Sequence, residues 1–228
     1  CEVSYDATLG FNKTVHDQRV AFVSYPDKCG VVKITRVGAP LNTKISLSSA
    51  HGNAEYKDNQ IIHKGKLSDN DLQFCLIANV VTDGNTTNSN SSISIENATE
   101  ITVIFSTDTD YIDCYPKYRT GESAETLFSR VNEIVTKATE KGFDKLLETH
   151  KDDFSSLYNR VSLDLDGNVM GPADKLIHKY EKFDRRSAEQ LLYQYGRYLA
   201  ISSTRETDVL PSNHIGHLVY RLKISKGL

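Results

Sequence analysis

No tryptophan occurs among the 228 residues of this chain, and methionine occurs once. Without an indole the chain lacks the widest aromatic surface a side chain can offer. No apolar run approaches the roughly 20 residues that a membrane-spanning helix needs. Charge of one sign is missing too: 27 Lys and Arg against 30 Asp and Glu leave a formal net charge of -3 and a pI near 6.2. That balance supplies no pull toward nucleic acid or an anionic membrane. The four cysteines, Cys1, Cys29, Cys75 and Cys114, form no C-x-x-C and no metal-ligand spacing. Four cysteines allow three pairings and sequence alone selects none. Free buried thiols, packed as small apolar residues, are the expectation.

What is present is ordinary globular composition, 39% hydrophobic and 25% charged. Asn12, Asn85, Asn90 and Asn97 each open an Asn-x-Ser/Thr tripeptide, three of them within one polar stretch, a pattern that arises often by chance. The first residue is Cys1, and the strand-like CEVSY that it opens reads as mid-domain sequence, so the expected start is a cut one.

Residues 1 to about 112 read as β-structure. RVAFVSYPDK (19–28) alternates before a turn at Tyr25-Pro26-Asp27, and VVKITRV and TKISLSS alternate in the same way. LQFCLIANVV (72–81) puts Leu72, Phe74, Leu76, Ala78 and Val80 on one face and Cys75, Ile77 and Val81 on the other. A strand apolar on both sides is buried on both sides. SISIENATEITVIFSTDT reads as strand, turn, strand with the bend at Asn97-Ala98-Thr99, and Asp83 to Ser92 as a polar hairpin tip. Short strands separated by polar turns predict antiparallel sheets packed face to face.

Near Asp113 the apolar period changes from 2 to 3.6. Leu127, Val131, Ile134, Val135 and Ala138 line one face of a helix that starts about Ser123 and stops at Gly142. A second helix carries Phe143, Leu146, Leu147, His150, Phe154 and Leu157 in register, and Val161, Leu163 and Leu165 then alternate as a short strand. Asp174 to Phe183 begins a third helix. The clearest helix of all follows in SAEQLLYQYGRYLAISS (187–203), with Ala188, Leu191, Leu192, Tyr195, Tyr198, Leu199 and Ser202 on one face. Ser187 and Gln190 have the spacing of a capping box, and Pro211 marks an extended segment. A face this apolar predicts burial against a partner. Strands followed by helices give an α+β chain divided at 1–113, 114–166 and 167–228.

The order and wording of several segments resemble the bacterial α-L-fucosidases of glycoside hydrolase family 95. The segments are VAFVSYPDKCGVVKIT (20–35), STDTDYIDCYPKYR (106–119), FDKLLETHKDDFSSLYNRVSLDL (143–165) and LLYQYGRYLAISSTRE (191–206) with LPSN (210–213). The resemblance implies a partial N-terminal β super-sandwich, a helical linker and the first helices of an (α/α)6 barrel, the part of the intact family that holds the active site. It departs after Asn213: HIGHLVYRLKISKGL resembles nothing in the tryptophan-containing family segment that leads to an Asn-x-Asn motif. The general-acid glutamate and the asparagine-assisted water of the family lie beyond that point, so no catalytic residue is carried over. Asn213 alone is placed near the active-site mouth, as a substrate-binding residue. The expected substrates are fucosylated glycans in the intact family, met outside the cell or at its surface.

Glycoside cleavage needs an acid at the leaving oxygen and a second group that activates water. Asp164 and Asp166 share a face but read as solvated. With Asn168 they imitate a calcium loop whose sixth position is Val169 and whose twelfth is Lys175, which excludes an EF-hand. Asp152 and Asp153 fit a charged outer helix face. His150 reads as a hydrogen-bonded core residue, and His214 with His217 as two histidines short of a zinc site. Arg197 and Arg205 read as structural ion-pair partners, and Tyr193, Tyr195 and Tyr198 as packing residues. The expectation is therefore a truncated, inactive α-L-fucosidase-like scaffold. The alternative is a non-catalytic β-sandwich that binds carbohydrate or protein, or self-association through unpaired faces of the helices at 123–158 and 187–203.

Overall fold

The computed structural model describes residues 2–8, 14–167 and 185–205. Cys1, the helix expected from Asp174 and the tail after Arg205 lie outside the described residues. The chain forms two compact units, Cys1–Lys151 and Asp152–Leu228.

Among the described residues the first unit holds ten strands: β1 (Glu2–Thr8), β2 (Thr14–Ser24), β3 (Cys29–Val37), β4 (Leu41–Ile45), β5 (Glu55–Lys57), β6 (Gln60–Lys66), β7 (Gln73–Thr82), β8 (Asn85–Asn88), β9 (Ile93–Ala98) and β10 (Glu100–Thr109). Seven form one antiparallel sheet in the order β1-β2-β3-β10-β7-β6-β5, and three form a second in the order β4-β9-β8. The sheets pack face to face. Ile61, Ala78, Val80 and Ile101 of the larger sheet meet Leu41, Ile93, Ile95 and Ala98 of the smaller in one buried cluster. This is the antiparallel sandwich that the alternation predicts.

The opposite face of the seven-stranded sheet is covered by helix α1 (Ala124–Lys141) and the start of α2 (Phe143–Tyr158). β7 is buried on both sides as its sequence demands, but the two covers differ in kind. Ala78 and Val80 face the small sheet, whereas Cys75 and Ile77 face Leu127, Val131 and Val135 of α1. Ser123 caps α1 by accepting from the Thr126 N–H at 3.1 Å, and Gly142 ends it at φ 77°. Leu127, Val131 and Val135 are buried, each contributing about 1.5–3 kcal/mol by leaving water, and Ala138 is buried beside them. At the centre of the sheet Gly30 of β3 lies opposite Phe105 of β10. A Cβ there would stand 2.4 Å from the Phe105 ring, so this ring needs a glycine beneath it.

Two readings of the β-region are corrected. The polar stretch 83–92 is no mere hairpin tip, for β8 lies within it and pairs with β9. Cys114 is exposed, unlike the buried Cys29 and Cys75.

The second unit carries the end of α2 and helix α3 (Arg185–Ser203). Residues 161–167 form no strand, although Leu163 and Leu165 are half-buried and Asp164 and Asp166 exposed, as alternation predicts. The capping box does not form as read. The helix begins at Arg185, which places Ser187 in its first turn, and Gln190 Oε1 instead accepts from the Leu165 N–H at 3.1 Å. The apolar face of α3 is not buried either: Leu192 is 62% exposed, Tyr195 56% and Tyr198 48%.

Candidate functional site

The side chains able to do acid–base chemistry can be followed one by one. Arg36 grips Asp17 with two hydrogen bonds of 2.5 and 2.7 Å, a bidentate pair buried at the carboxylate end. Asp27 accepts from Ser24 Oγ and from Lys141 Nζ, and Glu100 pairs with Lys33 at 2.8 Å. At the end of β10, Arg130 bridges Asp108 and Glu122. Buried Asp110 accepts from the Gln73 N–H at 3.0 Å and lies 3.6 Å from Arg119 Nε. Asp83 accepts from the Thr99 hydroxyl and from two backbone N–H groups, which hold its carboxyl below the usual range. Each of these acids stabilises the fold.

The residues singled out in the helices follow the same pattern. Arg205 forms a two-point ion pair with Asp153, as expected of it. Arg197 departs from expectation: it donates to the carbonyls of Tyr158 and Val161 at 2.5 and 2.6 Å and stacks on the Tyr158 ring. His150 stacks on Phe22 with ring centroids 5.0 Å apart. Asp166 donates its N–H to Asp164 Oδ1 in a local turn, and both acids are solvent-facing. Asn213, His214 and His217 lie outside the described residues. Among the described residues no three His, Cys, Asp or Glu gather as a metal site.

Burial pushes the Cys29 thiol up to about 11, assisted by Asp27 and opposed by Lys141, and burial also raises Cys75. Neither thiol is poised as a nucleophile.

Among the described residues of the first unit, hollows open in several places. One of about 580 Å³ runs past the β5–β6 turn, β7 and Thr139. One of about 530 Å³ lies over Phe22, Phe143 and His150, flanked by Lys33 and Glu100. A third, about 230 Å³, lies beside Asp27 and Lys141. A single carboxylate lines each: Asp58, Glu100 and Asp27 in turn. Sequence reasoning missed a further feature. The loop after β10 carries Tyr111, Tyr115 and Tyr118 at 54%, 82% and 38% exposure, with the Tyr111 and Tyr118 rings nearly parallel at 6.4 Å. The tyrosine spacing in DYIDCYPKYR was the available signal.

Comparison with known proteins gives two family matches in chain order. Residues 2–113 match the family 65 glycosyl hydrolase N-terminal domain, and residues 142–224 match the family 95 glycosyl hydrolase catalytic domain. The chain is 27% identical over 210 residues to "Probable alpha-fucosidase A" of Aspergillus niger, covering 86% of this chain and 26% of the relative. It is 27% identical over 179 residues to "Alpha-L-fucosidase 2" of Arabidopsis thaliana, covering 73% of this chain and 19% of the relative. This chain therefore spans about a quarter or less of the length of these relatives. Its fold is similar to that of the solved "Putative kojibiose phosphorylase from human microbiome", with a TM-score of 0.51, 9% identity and coverage of 69% of this chain and 23% of that one.

A sandwich of the family 65 type running into helices of a glycosyl hydrolase catalytic domain defines the class, a glycoside hydrolase sequence. Within that class residues 142–224 are similar to the family 95 catalytic domain, and the two fucosidase relatives are similar to most of the chain at 27% identity.

Proposed function

We propose that this chain is part of an α-L-fucosidase-like enzyme that removes terminal α-fucosyl groups with inversion, using neither metal nor organic cofactor. The observation that carries the reading is the order of the two family matches along one chain, with fucosidase names on both curated relatives. The substrates are fucosylated glycans, met outside the cell or at its surface, and Asn213 is assigned to substrate contact.

The chain by itself supplies scaffold. The cleavage that the resemblance implies works through a general-acid glutamate and an asparagine-assisted water, and neither is carried over to a residue of this chain. Pure 228-residue protein is therefore expected to leave an aryl α-L-fucoside intact. Release of the aryl alcohol, lost on mutating a carboxylate within the chain, overturns this assignment. Contact at Asn213 is read from saturation transfer to methyl α-L-fucoside, which Asn213→Ala should reduce.

A second reading, a non-catalytic sandwich that binds glycans, is favoured by the Tyr111–Tyr115–Tyr118 loop, since exposed aromatic faces stack on sugar rings. A glycan array decides it: reproducible binding lost in Tyr115→Ala supports the module, and silence removes it.

A further inference from the structure

On the α1-facing side of β7, Asn79 sits between Ile77 and Val81. Its carboxamide is held at both ends. Oδ1 accepts from Gln60 Nε2 at 2.8 Å, and Nδ2 donates to Thr139 Oγ1 at 3.0 Å. Gln60 Nε2 also donates to Asn132 Oδ1 at 3.3 Å, which uses both of its N–H groups and leaves Oε1 as an acceptor. One Asn79 N–H remains as a donor by the same count. The two amides are thus pre-oriented, with a donor and an acceptor in reserve, on a 580 Å³ cleft within the size range of small-ligand sites.

The rest of the lining narrows the ligand. Asp58 and Asn59, both at positive φ (52° and 60°), form a tight two-residue turn that fixes one wall. Lys57 and Asp58 are the only charged side chains of the lining and lie 3.9 Å apart, so the cleft has no net charge to offer an ion. No aromatic ring lines it, which leaves nothing for a flat heterocycle to stack on. Ile62 and Val81 supply an aliphatic strip, while a wholly apolar ligand would strand the amides at about 1–3 kcal/mol each. A ligand with many hydroxyls and C–H faces but no charge satisfies every part.

The geometry points to a carbohydrate-binding cleft on the β-domain, taking a neutral sugar of one or two rings through Gln60 and Asn79. It shares no lining residue with the tyrosine loop, and it stands whether or not the fucosidase reading does.

The test is a ¹H–¹⁵N correlation titration of the whole chain with lactose and with cellobiose, and with glucuronic acid as the anionic control. The side-chain NH2 signals of Gln60 and Asn79 and the amides of 57–62 and 79–82 should shift saturably in the millimolar range. Gln60→Glu, which keeps the shape and adds a charge, should weaken binding about tenfold or more, whereas Tyr115→Ala should leave it unchanged. Should Gln60→Glu fail to fold, Thr139→Val removes the acceptor that orients Asn79 and should weaken binding in its place. The cleft is refuted by an absence of saturable shifts with both disaccharides, or by shifts that map elsewhere. Tighter binding of glucuronic acid refutes it too, as does affinity that survives the folded variant or falls with Tyr115→Ala.

Discussion

Helices α1 and α3 are nearly equal in length, 18 and 19 residues, and both carry apolar side chains at three- and four-residue steps. Their fates differ. The stripe of α1 is covered by β7 and its neighbours, with Val131 and Val135 at 0% exposure. The stripe of α3 leaves Leu192, Tyr195 and Tyr198 about half exposed or more, while Gln190 and Arg197 on another face make the hydrogen bonds that tie the helix to residues 158–165. Periodicity says that a helix has an apolar face. It does not say what covers that face.

The largest test of this contrast is a matched pair of truncations. Leu127→Ala should cost about 2–5 kcal/mol in chemical denaturation, whereas Leu192→Ala should stay within about 0.5 kcal/mol; equal costs would erase the difference between the helices. Next in size, Ser123→Ala removes the α1 cap and should cost about 1 kcal/mol, with Ser123→Asn recovering most of it. The exposed stripe of α3 should drive concentration-dependent association in sedimentation, relieved by Leu192→Glu; a monomer at every concentration would show that the stripe is inert. Thiol labelling at pH 8 followed by peptide mapping should modify Cys114 rapidly and Cys29 and Cys75 only on unfolding. The smallest effect belongs to Asp83. Its folded-state pKa is depressed, chiefly by the Thr99 hydroxyl, so its contribution is present above the ordinary carboxylate pKa and lost as pH falls through the lower folded value. Asp83→Asn should therefore lower stability above about pH 4, where that contribution is present, and flatten the acid limb so that variant and parent converge as the pH falls.

The sequence makes α1 legible because cap, stripe and terminal glycine agree, from Ser123 through Leu127 and Val131 to Gly142. β7 is legible because both faces are largely apolar, and β10 because Ile101, Val103 and Phe105 alternate with Thr102 and Ser106. Other strands hide for identifiable reasons. NTTN of β8 has no apolar residue, and it is a strand only because β9 offers it an edge. QIIHKGK of β6 breaks its alternation with buried His63 and with Gly65, which lies under the Phe74 ring. The proposed sugar cleft had a signal in Asn79, a carboxamide between Ile77 and Val81 on one strand face, but its meaning depends on Gln60, Asn132 and Thr139. Those residues are distant in sequence, and only the register of β6 on β7 and the placement of α1 bring them together.

The strand order β3-β10-β7 sets the timetable of folding on the ribosome. Two meanders, β1–β2–β3 and β5–β6–β7, are synthesised early, yet each presents a raw edge until residues 100–109 emerge and slot between them. The middle of the sheet is thus the last of its strands to be made, and nascent chains stalled just short of it should be the ones that stick to one another.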